Sequence, residues 1–147
     1  MLLSKIWIKL ADCGPIPMRR LLVIFLILVF GALVFFGFSL FTIYSGVKTA
    51  CLKAKEEYRL DCVDSLIAYV NSEKASFREK NSAIWALGQI ADKKALPFLE
   101  ELNDSLPAQE SCQYDHFLCR YEVEKAIKWC REGNITHWMY RYRDSWK

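Results

Sequence analysis

From Leu21 to Val47 the chain reads LLVIFLILVFGALVFFGFSLFTIYSGV, without a single acid or base. A helix needs roughly 20 such residues to cross a hydrocarbon core of about 30 Å. Inside lipid the backbone has no water to bond, so a helix is the form such a segment must take. A helix buried in a water-soluble domain would show a polar stripe, and none is visible here. The core of a cleavable signal peptide holds roughly 7–15 apolar residues, which this run exceeds. Just before Cys51, the order Val47-Lys48-Thr49-Ala50 puts Lys48 where a lipoprotein cleavage pattern needs an aliphatic residue. The expectation is a single transmembrane helix over 21–47, with the lipid bilayer as one partner.

Its direction follows from the flanking charges. Arg19 and Arg20 abut the run and favour a cytoplasmic segment over 1–20. Lys48, Lys53, Lys55 and Arg59 follow on the other side, so the difference is small. Tyr44 falls where amphipathic rings are comfortable, at the outer interface. Ahead of the run, Leu2, Leu3, Ile6 and Leu10 alternate with Lys5 and Lys9. That pattern suits a short helix on the membrane surface. The alternative is a translation start at Met18, since MRRLLVIFL is a complete signal-anchor opening.

Beyond the run the material changes. The net charge of +3 comes from Lys5, Lys9, Arg19 and Arg20 set against Asp12, and from Lys48 onward acids and bases nearly cancel. A nucleic-acid binder would need a basic stripe to displace counterions, so nucleic acid is not an expected partner. After a linker helix over 48–59, apolar residues recur at helical spacing in short segments. The first runs from Asp61, a cap, to Val70, with Val63, Leu66 and Ile67 on one face. A second spans Ser76 to Ala91 with a broad apolar surface. The third covers Ala95 to Leu102, where Pro97 is tolerable only near the first turn. The fourth covers Cys119 to Arg131 and stops at Gly133. The fold class is therefore all-α: one N-terminal transmembrane helix followed by a short helical domain over 60–133.

Within that domain Arg78, the block Ala83 to Gly88 (AIWALG), Asp92 and the pair Leu96-Pro97 stand in an order that resembles a HEAT repeat. The stretch from Phe77 to Leu102 looks like the second helix of one repeat followed by the first helix of the next. The likeness is good over Val63 to Leu102 and weaker over Tyr121 to Cys130, about half of the chain in all. It implies an α-solenoid fragment of about two repeats, used mainly to hold other proteins. Arg78 and Asp92 would tie helices and turns together, Gly88 would allow close helix approach, and Trp85 would be core. Some related repeat proteins act on tetrapyrrole chromophores, but nothing in this chain points to such a lyase. Roughly three repeats are usually needed for stability, so two would require something to cover their open ends.

Cysteine usage bears on that need. Cys13 precedes the membrane run; Cys51, Cys62, Cys112, Cys119 and Cys130 follow it. Five in about a hundred residues suits an oxidising compartment, hence an extracytoplasmic domain. Cys119 and Cys130 would stand about 16 Å apart on one helix and cannot bridge. Cys112 can reach Cys119. Cys130 would then take Cys62 or Cys51, fastening the two ends of the domain with about 4 kcal/mol of chain-entropy stabilisation. One cysteine stays over and could link subunits in an oligomer. A metal site from Cys112, His116 and Cys119, with or without Cys130, fits no standard zinc spacing. Reduced, buried cysteines facing the cytosol are the remaining reading.

The tail, 134–147, reads NITHWMYRYRDSWK. Trp138, Tyr140, Tyr142 and Trp146 could fold over an open helical end. Alternatively Trp138, Tyr140, Arg141, Tyr142, Arg143 and Trp146 touch the membrane surface or a partner, where Trp, Tyr and Arg often dominate binding energy. Asn103-Asp104-Ser105 and Asn134-Ile135-Thr136 match the glycosylation sequon, a pattern common by chance. Neither His116 nor His137 sits in a nucleophile or metalloprotease motif, and no phosphate-binding glycine loop occurs. No cofactor and no catalytic set is expected. The chain reads as a non-catalytic, membrane-tethered adaptor for a membrane or envelope protein. The alternative is an integral subunit bound through its apolar helix, where Gly31 and Gly37 could permit close contact.

Overall fold

The structure is a computed structural model and describes residues 18–107 and 112–146. The expected surface helix near the N-terminus and Cys13 lie outside the described residues. Five α-helices follow in order: α1 (Met18–Tyr58), α2 (Cys62–Asn71), α3 (Phe77–Ile90), α4 (Leu96–Ser105) and α5 (Arg120–Glu132). A 3-10 turn at Lys93–Ala95 leads into α4, and two more, His137–Tyr140 and Arg143–Ser145, make up the tail. No strand occurs among the described residues, so the chain is all-helical.

The chain divides into two units at Ser39 and Leu40. Through Ser39, α1 is apolar and uncovered, and this one helix is long and apolar enough to cross a membrane. The apolar run does not end where the expected span did. Val47, Cys51 and Ala54 of α1 are fully buried in the second unit, and the expected linker helix is the uninterrupted continuation of α1. The reason is periodicity: these three residues recur at i, i+4 and i+7, which lays one stripe against neighbouring helices. Charge alone marks where lysines begin, not where the helix acquires protein neighbours.

In the second unit α3 is central, packed against α2 on one side and α5 on the other, with α4 against α5. Leu66 of α2, Ile84, Leu87 and Ile90 of α3, Leu99 of α4 and Val123 of α5 are all out of water. Each such side chain contributes about 1.5–3 kcal/mol of transfer free energy. The helix starts are set locally. Asp61 accepts the N–H of Asp64 at 2.9 Å, closing one orphan donor of α2. Ser76 and Glu79 form a reciprocal capping box at the start of α3. Pro97 lies in the first turn of α4, where its missing N–H costs nothing.

The tail closes the unit. Tyr140 is fully buried, and Trp146 packs half-buried against the same core. The Lys55 ammonium donates to the carbonyls of Asp144 and Trp146, each at 3.0 Å, and so pins the last residues to α1.

Candidate interaction surface

The positions singled out by the repeat resemblance are spread through the unit. Gly88 lies where α3 and α5 come closest: a Cβ there would stand 2.9 Å from the Cα of Ala126. Trp85 is half-buried against the core, and its ring edge faces Gly46 of α1. Arg78 is exposed and pairs with Asp115 at 2.8 Å. Asp92 caps the 3-10 turn through Lys94 and pairs with Arg143 of the tail. Arg78 and Asp92 therefore tie loop and tail to α3, each through a different partner.

The cysteines correct one expectation. Cys51 and Cys62 stand at disulfide distance, with Cα atoms 5.3 Å apart, and Cys112 and Cys119 likewise at 5.2 Å. Cys130 joins neither; it is free and buried, with its thiol toward the Leu87 carbonyl. The expected staple from Cys130 to Cys51 or Cys62 is thus replaced by a short bridge across the α1–α2 corner. Arg59 makes that corner with a left-handed backbone (φ +57°), turning the chain so that Cys62 comes back beside Cys51. In the chain-entropy model so short a loop contributes about 3 kcal/mol. Burial, and then the charge of Asp92, push the Cys130 thiol up to about 11. No group of three or more metal-ligating side chains assembles among the described residues.

A residue that the spacing argument passed over organises the second bridge. Asn81 of α3 is fully buried, donates to the carbonyls of Tyr114 (3.1 Å) and Phe117 (2.8 Å), and accepts the N–H of Cys119 (2.8 Å). One amide thereby satisfies three backbone groups of the 112–119 loop. The only signal in the sequence was an amide on the helix face shared with Ile84.

The aromatic tail divides by direction. Tyr140, Trp146 and the partly buried Arg143 turn inward, whereas Trp138, Arg141 and Tyr142 are exposed. Of the two sequons, Asn134 donates to Gln89 and Thr136 is buried against the same side chain, while Asn103 is half-buried late in α4.

Between α4 and α5 runs an open cleft of about 490 Å³. Ile127 lines it together with Glu100, Asp104, Glu124, Lys128 and Arg131. The Arg131 guanidinium pairs with Glu100 across the cleft. A smaller groove of about 360 Å³ follows Gly46, Thr49 and Ala50 of α1, facing Tyr69, Ser82 and Ala83. Lys53 and Glu79 form an ion pair at its edge. That pairing, with the Ser76 backbone, holds the Glu79 carboxyl down to about 2.

These features define the class: a helical domain carried on a helix of membrane-spanning length, with a mixed-charge cleft on its surface. No protein-family model, no curated protein and no solved structure matches the chain.

Proposed function

We propose that the chain is a membrane-tethered, non-catalytic adaptor whose helical domain, HEAT-like in character, holds another membrane or envelope protein. The observation that carries this reading is the α4–α5 cleft, which presents both charge signs around one apolar residue, Ile127. Such a surface suits a charged, extended or helical segment of a partner, with specificity set by paired charges. The repeat resemblance supports it through Gly88 at the close helix approach and Pro97 in the first turn of α4. The cysteine pairs support an oxidising, extracytoplasmic setting, with the N-terminus in the cytoplasm.

Site-specific photocrosslinking in intact cells tests the reading. A photoreactive residue at Glu124 or Lys128 should give a discrete heterologous adduct that the same probe at Glu73, outside the cleft, does not. If adducts arise only from positions such as Gly31 and Gly37 on the apolar helix, the adaptor gives way to the alternative. The chain would then be an integral subunit of a larger complex. Gly31 and Gly37 have no neighbour within 4 Å and leave that face open.

A further inference from the structure

The second unit leaves few large apolar side chains in water, and they are not scattered evenly. Among its described residues the most exposed are Ile135 (91%), Tyr142 (73%), Phe41 (65%), Tyr121 (64%) and Trp138 (63%). Three of these five fall between 135 and 142, an unusual concentration of unpartnered apolar surface. The segment is rigidly based: between Trp138 and Tyr142 the Tyr140 ring is buried, stacked on Tyr44 at 6.4 Å between centroids. Thr136 bonds Gln89 at 3.0 Å, and the His137 ring bonds the Ile90 carbonyl at 2.7 Å. Exposure of Trp138 and Tyr142 is therefore a product of the fold, since neighbouring residues are held inward by specific contacts.

Tyr44 says what covers them. It follows Ser39, where the uncharged exposed stretch of α1 ends, by five residues, or about 8 Å of helix. Phe41, exposed as well, lies one turn before it. If α1 crosses a bilayer, as the reading above requires, Tyr44 stands at the boundary by chain distance alone. The side chains that flank its stacking partner then stand near that boundary too. Trp138 and Tyr142 with the exposed Arg141 are the residue types that settle at the headgroup level: amphipathic rings beside a cation for lipid phosphate. We infer that the segment 135–142 lies on the phospholipid surface, a second membrane contact of the same chain. It would hold the domain down against the bilayer and leave the α4–α5 cleft to a protein.

The full chain tests this, in a Trp7→Phe background, reconstituted into phosphatidylcholine–phosphatidylglycerol vesicles whose phosphatidylcholine carries brominated acyl chains. Tryptophan emission should be partly quenched by the bromolipid, and Trp138→Phe should remove most of that quenching. An Arg141→Glu variant should lower it as well, by lifting the segment from anionic headgroups. Unchanged quenching in Trp138→Phe, with Trp138 emission lost instead to aqueous iodide, overturns the inference and leaves the patch to a protein partner. Alkaline carbonate separates the two levels of the argument. A protein stripped from the vesicles overturns both the spanning helix and the tail contact, whereas a retained protein with unchanged quenching overturns the tail contact alone.

Discussion

The rings of Tyr44 and Tyr140 lie parallel, 4° between planes and 6.4 Å between centroids, and Trp146 meets each of them edge-on. This cluster joins the first helix of the compact unit to its last turns. It explains why a domain with so few helices needs its tail: the aromatic residues cover apolar surface that a further repeat would otherwise bury.

Removing the central ring should therefore be costly. Tyr140→Ala is expected to lose about 3–5 kcal/mol, the usual range for deleting a buried aromatic. Tyr140→Phe keeps the ring and should lose about 1 kcal/mol or less. Chemical denaturation of the full chain in detergent, followed by near-ultraviolet dichroism, measures both. Equal losses in the two variants would mean that the hydroxyl, not ring packing, holds the tail.

Gly88 is required by closeness rather than by backbone conformation. A methyl group there would press on the backbone of Ala126, within 2.9 Å. Overpacking of this kind costs about 1–3 kcal/mol, against about 1 kcal/mol gained in helix propensity. Gly88→Ala should thus be net destabilising by about 1–2 kcal/mol, whereas Gly31→Ala should leave the stability of the compact unit unchanged. Ala126→Gly should recover part of the Gly88→Ala loss, and failure to do so would place the strain elsewhere.

The Lys53–Glu79 pair predicts a pH dependence of stability. Glu79 titrates at about 2 in the folded chain against an ordinary 4.5, held down first by Lys53 and then by Ser76. A depressed carboxylate stabilises the fold fully above its unfolded value. That contribution is lost as pH falls from about 4.5 through about 2. Glu79→Gln retains a capping acceptor for Ser76 but carries no titratable charge, so its stability should vary less with pH across that window. Identical acid-unfolding profiles for the two proteins would remove Glu79 as a cause.

Cysteine reactivity separates the three environments. At pH 8 in the folded, unreduced protein, Cys130 should resist iodoacetamide, because it is buried and its thiol titrates near 11. Cys51, Cys62, Cys112 and Cys119 should become reactive only after reduction. Mass spectrometry of peptides alkylated before and after reduction checks this residue by residue. Ready labelling of native Cys130 would show that α3 and α5 open where the structure closes them.

Much of the helical layout was legible because each helix begins at a device that the chain spells out locally. Asp61, the Ser76–Glu79 box and Pro97 mark starts, and Gly133, with φ +91°, follows the last turn of α5. The expected helices agree with α2, α3 and α5 to about one residue at each end, and α4 runs three residues further than Leu102, to Ser105. The cysteine pairing was less legible. Cys51 and Cys62 both looked like ends awaiting Cys130. The left-handed turn at Arg59 that brings them together has no glycine to announce it.

What the sequence determined by itself is what depends on neighbours along the chain: helical periodicity, caps, and an uncharged stretch long enough to need lipid. What only the tertiary structure decided is which of several equivalent side chains meets a distant partner. Nothing in NITHWMYRYRDSWK distinguishes Tyr140 from Tyr142, yet one is fully buried on Tyr44 and the other is exposed. The same holds for Val47, which belongs to the apolar run by composition and to the protein core by contact. Burial is a property of the packed surface, and that surface exists only once helices remote in sequence have come together.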